Sequence, residues 1–289
     1  MSISAIHHYI PRFLIRKFAD DNGLLYIYNK ESRKIIQKGP GGVFWELNRN
    51  TIKVGDQLGD QMESVYQALD DRFAKAITAT LSSGKLTEDH AMDIIMLAAS
   101  LKWRIPANDG MFDEFAQELN YHSLPIKIKL TGTTQEAEKN AIDHLMGTPL
   151  FLASKRVIFP FLCFYNDRQL DHAKIATVIE NSYLISDSRG KGILSDSPII
   201  ERVPSNVHTF AEQILPLSST HTFVYNQTDV NRTHSPLFGL QRDIVLFDQA
   251  KKYVVCGNLA YLQAIIDAHR AAPVYSIPHL RKELFKNSL

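Results

Sequence analysis

The sequence predicts an α+β fold: an N-terminal β-hairpin, a mostly helical middle, and a small mixed or antiparallel sheet in the C-terminal third. Three observations predict it. Two short strand-like runs flank a turn cluster at residues 24–38. Apolar residues recur at three- and four-residue steps through residues 56–104, and from residue 171 onward short β-branched and aromatic runs are separated by turn residues.

Pro11 opens a short helix, because a first helical position needs no amide proton, and Phe13, Leu14 and Phe18 give it one apolar side. Asp20-Asp21-Asn22-Gly23 stops it. Leu24–Tyr28 and Lys34–Lys38 then form the hairpin around Asn29–Arg33, and Gly39-Pro40-Gly41-Gly42 breaks the chain. From Asp56 to Thr80, Leu58, Met62, Tyr66, Leu69, Phe73 and Ile77 define a long amphipathic helix that Gly84 ends. Thr87 is the N-cap of a second helix, apolar all round at Ile94–Ala99 and so buried on several sides, which ends near Arg104-Ile105-Pro106.

Further helices are predicted around residues 109–120 and 134–146 and within 149–165. Beyond them, strands are predicted at 182–186, 192–195, 213–217 and 222–225, with Asp187–Lys191 as a turn. Two helices at 243–252 and 258–270 enclose a short run at Tyr253–Cys256. No repeat or low-complexity linker interrupts this order, so residues 1–272 are read as a single α+β domain and 273–289 as an extended C-terminal tail.

Composition limits the function classes. The chain has 289 residues and a net charge of +1. A generic nucleic-acid coat or a membrane-surface protein draws its affinity from a cationic excess that is missing here. Charge is nevertheless uneven. Residues 1–40 carry seven basic side chains against three acidic ones, and residues 56–93 carry eight acidic against three basic. Cys163 and Cys256 sit in apolar runs as small hydrophobes do, and imply no disulfide framework. The N-terminal residues have no signal-peptide pattern and the longest apolar stretch is interrupted by charges and Pro160, so the expectation is a cytoplasmic protein without a membrane partner.

The candidate chemistry rests on few residues. His7 and His8 are adjacent, and in an extended segment adjacent side chains point to opposite sides, so one suits a site and the other a structural place. Glu63 and Asp70 lie two turns apart at the edge of the apolar stripe of the long helix, where a carboxylate can be partly buried. Their separation along the axis, about 10 Å, is too long for one ion to bridge without help from another element. Arg104 ends a buried helix, where it either complements the helix dipole or clamps a phosphate or carboxylate. Asp196, in Ser195-Asp196-Ser197-Pro198, follows a strand and reads either as a turn initiator or as a rigidly held ligand.

The opening His7-His8-Tyr9-Ile10-Pro11-Arg12-Phe13-Leu14, with its terminal Phe18, resembles the start of a microbial domain-of-unknown-function family, number four-two-three-eight. Met62-Glu63 and Leu69-Asp70, Arg104-Ile105-Pro106 and Ser195-Asp196-Ser197-Pro198 are similar to its further motifs, across roughly residues 5 to 260. Asp70 departs from the glutamate of that pattern, and Pro216-Leu217-Ser218-Ser219 lacks a second proline. The resemblance implies that histidine, glutamate, arginine and aspartate share one polar site.

Two functions follow as expectations. The first is a hydrolase, a metal-assisted nuclease or phosphodiesterase of a microbial toxin or defence effector. In it His7, His8 and Arg104 are catalytic, Glu63, Asp70 and Asp196 bind a divalent Mg or Mn ion, and nucleic acid or a nucleotide is the partner; no organic cofactor is indicated. The second is a non-catalytic binding module in which the same residues form a structural polar network.

Overall fold

The computed structural model of the chain describes residues 6–54, 57–118, 134–148, 151, 154, 156–158, 160, 172–203, 211–227, 234–273 and 276–286. The chain runs β1 (Ile6–His8), α1 (Arg12–Arg16), β2 (Leu25–Asn29), β3 (Lys34–Lys38), β4 (Trp45–Leu47), β5 (Ile52–Val54), β6 (Gln57–Gly59), α2 (Gln61–Ser83), α3 (Glu88–Arg104), α4 (Asp109–Glu118) and α5 (Gln135–Met146). There follow α6 (His172–Glu180), β7 (Ser182–Ser186), β8 (Leu194–Ser195), β9 (Ile200–Glu201), β10 (Gln213–Pro216), β11 (His221–Tyr225), α7 (Phe238–Gln249), β12 (Tyr253–Cys256), α8 (Leu259–Ala271) and α9 (Ser276–Glu283). The class is α+β, and among the described residues every strand pair is antiparallel.

The N-terminal hairpin forms as its turn residues require: Asn29 Oδ1 accepts the backbone N–H groups of Glu31 and Ser32 at 2.9 and 3.0 Å. It does not stand alone. β2 pairs with β12 and β12 with β8, giving a four-stranded sheet in the order β3-β2-β12-β8 whose strands come from both ends of the chain. A second sheet has the order β7-β11-β10-β9, and β1-β4 and β5-β6 are two-stranded. The turn at Asp187–Lys191 therefore leads from one sheet to the other.

In the helical middle the local signals act as read. Gly84 closes α2 with φ +65°, a left-handed conformation that suits a residue without Cβ, and donates its N–H to the Thr80 carbonyl. Thr87 caps α3 by accepting from His90 N–H at 3.3 Å. From Ile94 to Arg104 every residue of α3 is buried, and Trp103 meets Phe112 of α4 edge to face at 5.6 Å.

Two expectations are corrected. The long helix begins at Gln61 rather than Asp56, because Gln57–Gly59 pair with the β-branched run Ile52–Val54 before the chain turns helical. The extended tail is instead helix α9. Leu284 and Phe285 behind it are 1 % exposed in the C-terminal core, and the Phe285 carbonyl accepts from Asn226 Nδ2. Much of the helix expected within 149–165, with Cys163, lies outside the described residues. Among the described residues no helix is long and apolar enough to cross a membrane.

Candidate functional site

The edge of β1, the chain after β4, helix α2 and the end of α3 meet in one polar region. The last turn of α3 places Arg104 there, its side chain 3 % exposed, with Asp70 of α2 before it. Nη1 donates to Asp70 Oδ1 at 2.7 Å, and Nη2 donates to Asp70 Oδ2 at 3.3 Å and to the His8 carbonyl at 3.1 Å. The guanidinium also lies over the Tyr66 ring, 4.2 Å from its centre. Burial pushes the Asp70 carboxyl up and Arg104 pulls back against it. Burial works against the Arg104 cation too, but the Asp70 charge and hydrogen bonds more than offset this and hold it above its ordinary value.

His7 is buried and reaches the same α2 face through Asn50. Asn50 donates its backbone N–H to His7 Nδ1 at 2.8 Å and its side-chain Nδ2–H to Glu63 Oε2 at 2.8 Å. Glu63 is in turn close enough to act on the charges of both Asp70 and Arg104. His7, Glu63, Asp70 and Arg104 are thus brought together. Asn50, Tyr66 and Arg49 join them unannounced. Arg49 donates to the Arg104 carbonyl at 3.0 Å and pairs with Glu46 and Asp109 at 2.8 and 2.7 Å, so it fixes the end of α3.

Two residues depart from the expected arrangement. His8 contributes its carbonyl to Arg104, and its half-buried ring, turned from that of His7 by strand alternation, lies near Gly41 and Arg12 and still within reach of the Arg104 charge. Burial first, then Arg12, lower its pKa to about 4. Asp196 stands apart at the turn between α7 and β12. Its carboxylate accepts the backbone N–H groups of Lys251, Lys252 and Tyr253 at 2.8, 2.6 and 2.9 Å, which is a structural duty. The three carboxylates expected as metal ligands do not converge, and among the described residues no group of three or more His, Cys, Asp or Glu side chains is placed to hold a metal ion.

What the cluster offers chemically is a set of buried polar atoms without hydrogen-bond partners among the described residues: His7 Nε2, Thr51 Oγ1, Tyr66 Oη and Arg104 Nε. Buried polar groups are rarely left so, and four on adjoining elements point to something polar that completes them. Because His7 Nδ1 accepts a hydrogen bond, the ring proton sits on Nε2, which makes His7 a neutral donor. Glu63 accepts from the Asn50 side-chain amide and, among the described residues, pairs with no guanidinium, which makes it the carboxylate of the cluster that could hold a divalent ion.

A family model described as a protein of unknown function, DUF4238, matches residues 6–156. The chain belongs to this family. No curated protein and no solved structure matches the chain. The residues matched to DUF4238 contain His7, His8, Glu63, Asp70 and Arg104, whereas Asp196 lies beyond them, so the resemblance read from sequence reaches further along the chain than the match does.

Proposed function

We propose that the cluster is the active site of a cytoplasmic hydrolase of phosphoesters, a nuclease or phosphodiesterase. The observation that carries this reading is the group of buried atoms without partners among the described residues, beside the Glu63 carboxylate that Asn50 orients. Two of them, His7 Nε2–H and Arg104 Nε–H, are donors held rigidly by other bonds, the kind of group that stabilises negative charge as it develops on a phosphoryl oxygen. Tyr66 and Thr51 hydroxyls can orient a further oxygen. Glu63, half-buried and oriented by Asn50, takes a proton from the attacking water or holds a divalent ion that lowers the pKa of that water. Asp70 keeps Arg104 in place rather than touching substrate.

The experiment is hydrolysis of DNA, RNA and bis(p-nitrophenyl) phosphate, with and without Mg or Mn. Wild type is compared with Glu63→Gln and His7→Gln variants whose folding is confirmed by circular dichroism. Cleavage by wild type that falls at least about 100-fold in the folded variants supports the reading. A non-catalytic reading is favoured by the closed pairing of Arg104 with Asp70. No cleavage by wild type, with variants that only melt earlier, selects it.

A further inference from the structure

A second polar cleft lies elsewhere, between the end of α3, the β8–β9 connection, the end of α7 and helix α9. Its volume is about 190 Å³, the size for a small ion or molecule rather than a polymer. Lys102 and Glu201 form a buried ion pair in its wall, with side chains 7 % and 11 % exposed. Arg281 reaches in from α9 and donates to two neutral acceptors, the Glu201 carbonyl at 3.2 Å and Gln249 Oε1 at 3.1 Å. Gln249 is itself fixed, since its Nε2 donates to the carbonyls of Ser197 and Ile199. Lys251 stands exposed at the rim. Among the described residues neither Arg281 nor Lys251 forms a salt bridge with a carboxylate, although Asp248 and Glu201 lie close enough to act on the Arg281 charge, and the one carboxylate lining the cleft is paired with Lys102. The lining therefore carries three cations, Lys102, Lys251 and Arg281, against one carboxylate, Glu201, and one of the cations is a planar guanidinium clamped in orientation.

We infer that this cleft is a binding site for a phosphate dianion, either free phosphate or the phosphomonoester of a small metabolite. A lining with two more cations than carboxylates suits the negative charge of such a group, and the fixed guanidinium suits its tetrahedral oxygens. The site is distinct from the His7–Arg104 cluster. Lys102 and Arg104 are two residues apart on α3 and so turned about 200° from one another, which puts the cleft and the cluster on opposite sides of the same last helical turn. Burial holds the Arg281 pKa below its ordinary value even though Asp248 and Glu201 pull the other way, the condition of a cation that a further anion would relieve.

The test is isothermal titration of the full chain with inorganic phosphate and, separately, glycerol 2-phosphate at fixed ionic strength. Saturable one-to-one binding is expected, weakened at least about tenfold by Lys251→Glu and by Arg281→Gln, since each removes a charge-assisted contact. Lys251 is exposed, so its variant keeps the unliganded melting temperature even where Arg281→Gln loosens α9. Glu63→Gln leaves the affinity unchanged. Tighter binding of glycerol 2-phosphate than of phosphate selects a metabolite; equal binding selects the free ion. No saturable heat overturns the inference, as does a Lys251→Glu protein that binds like wild type. Tightening by Glu63→Gln alone would put the anion in the other cluster and overturn it equally.

Discussion

The backbone N–H of Asn50 donates to Nδ1 of His7 at 2.8 Å, and that single bond decides the chemistry of the imidazole. A ring nitrogen that accepts cannot carry a proton, so His7 is neutral with its hydrogen on Nε2. Nitrogen-15 chemical shifts of the histidine rings check this: His7 is expected to show a protonated Nε2 and a bare Nδ1 at pH 7. The reverse tautomer would mean that the Asn50 contact is absent in solution.

Asp196 carries a structural load instead of a catalytic one. Asp196→Ala leaves three backbone N–H groups of the α7–β12 turn without their acceptor, and a loss of about 3 kcal/mol or more in unfolding free energy is expected. Urea denaturation measures it. Any activity of the variant protein while still folded should match wild type.

His8 makes stability depend on pH. Its pKa is about 4 in the folded chain against 6.5 when unfolded, so the unfolded state takes up a proton that the folded state refuses. Stability is therefore lost as pH falls from about 6.5 towards 4. Buried Asp70 and Asp196, whose carboxyls are pushed up by burial, act in the opposite direction at lower pH. The difference between wild type and His8→Gln isolates the histidine: the urea midpoint of the variant should fall less than that of wild type between pH 7 and pH 5.

Gly257 is where the N-terminal segment meets the end of β12. A Cβ there would lie 2.7 Å from the Asp20 nitrogen and 2.8 Å from the Phe18 oxygen, both backbone atoms that cannot swing aside. Gly257→Ala should cost about 1–3 kcal/mol, read as a lowered thermal midpoint.

The parts of this fold that were legible in sequence are those set by local signals. Thr87 as a cap, Gly84 as a stop and Asn29 as the turn residue of the hairpin all act within a few residues of their own position. Sheet partners were not legible, because β2 pairs with β12 across more than two hundred residues and no local pattern encodes that choice. The tail read as extended because its eight-residue helix is short and polar on the whole, with Ile277 and Leu280 as its few apolar residues, and gains its place from Leu284 and Phe285.

The candidate site divides in the same way. Arg104 and Glu63 stood out by their positions on helices with clear periodicity, and the opposite facing of His7 and His8 followed from strand geometry alone. Asn50 and Arg49 did not stand out, since they lie in a short connection whose residue types suit any turn, and their roles arise from contacts with α2 and α3. Asp196 was misplaced because a turn-initiating aspartate and a ligand look identical in one dimension.

The claim on which the account turns is that the unpartnered atoms of His7, Thr51, Tyr66 and Arg104 receive a phosphoester. The most direct measurement is a nitrogen-15 and proton titration of the His7 ring and Arg104 Nε–H signals with a dinucleoside phosphorothioate that resists cleavage. Saturable downfield shifts of His7 Nε2–H and Arg104 Nε–H together, with the Lys251→Glu protein behaving like wild type, are the predicted result. Signals that stay in place at saturating ligand would contradict it and leave the cluster as a network that holds the N-terminal segment to α2 and α3.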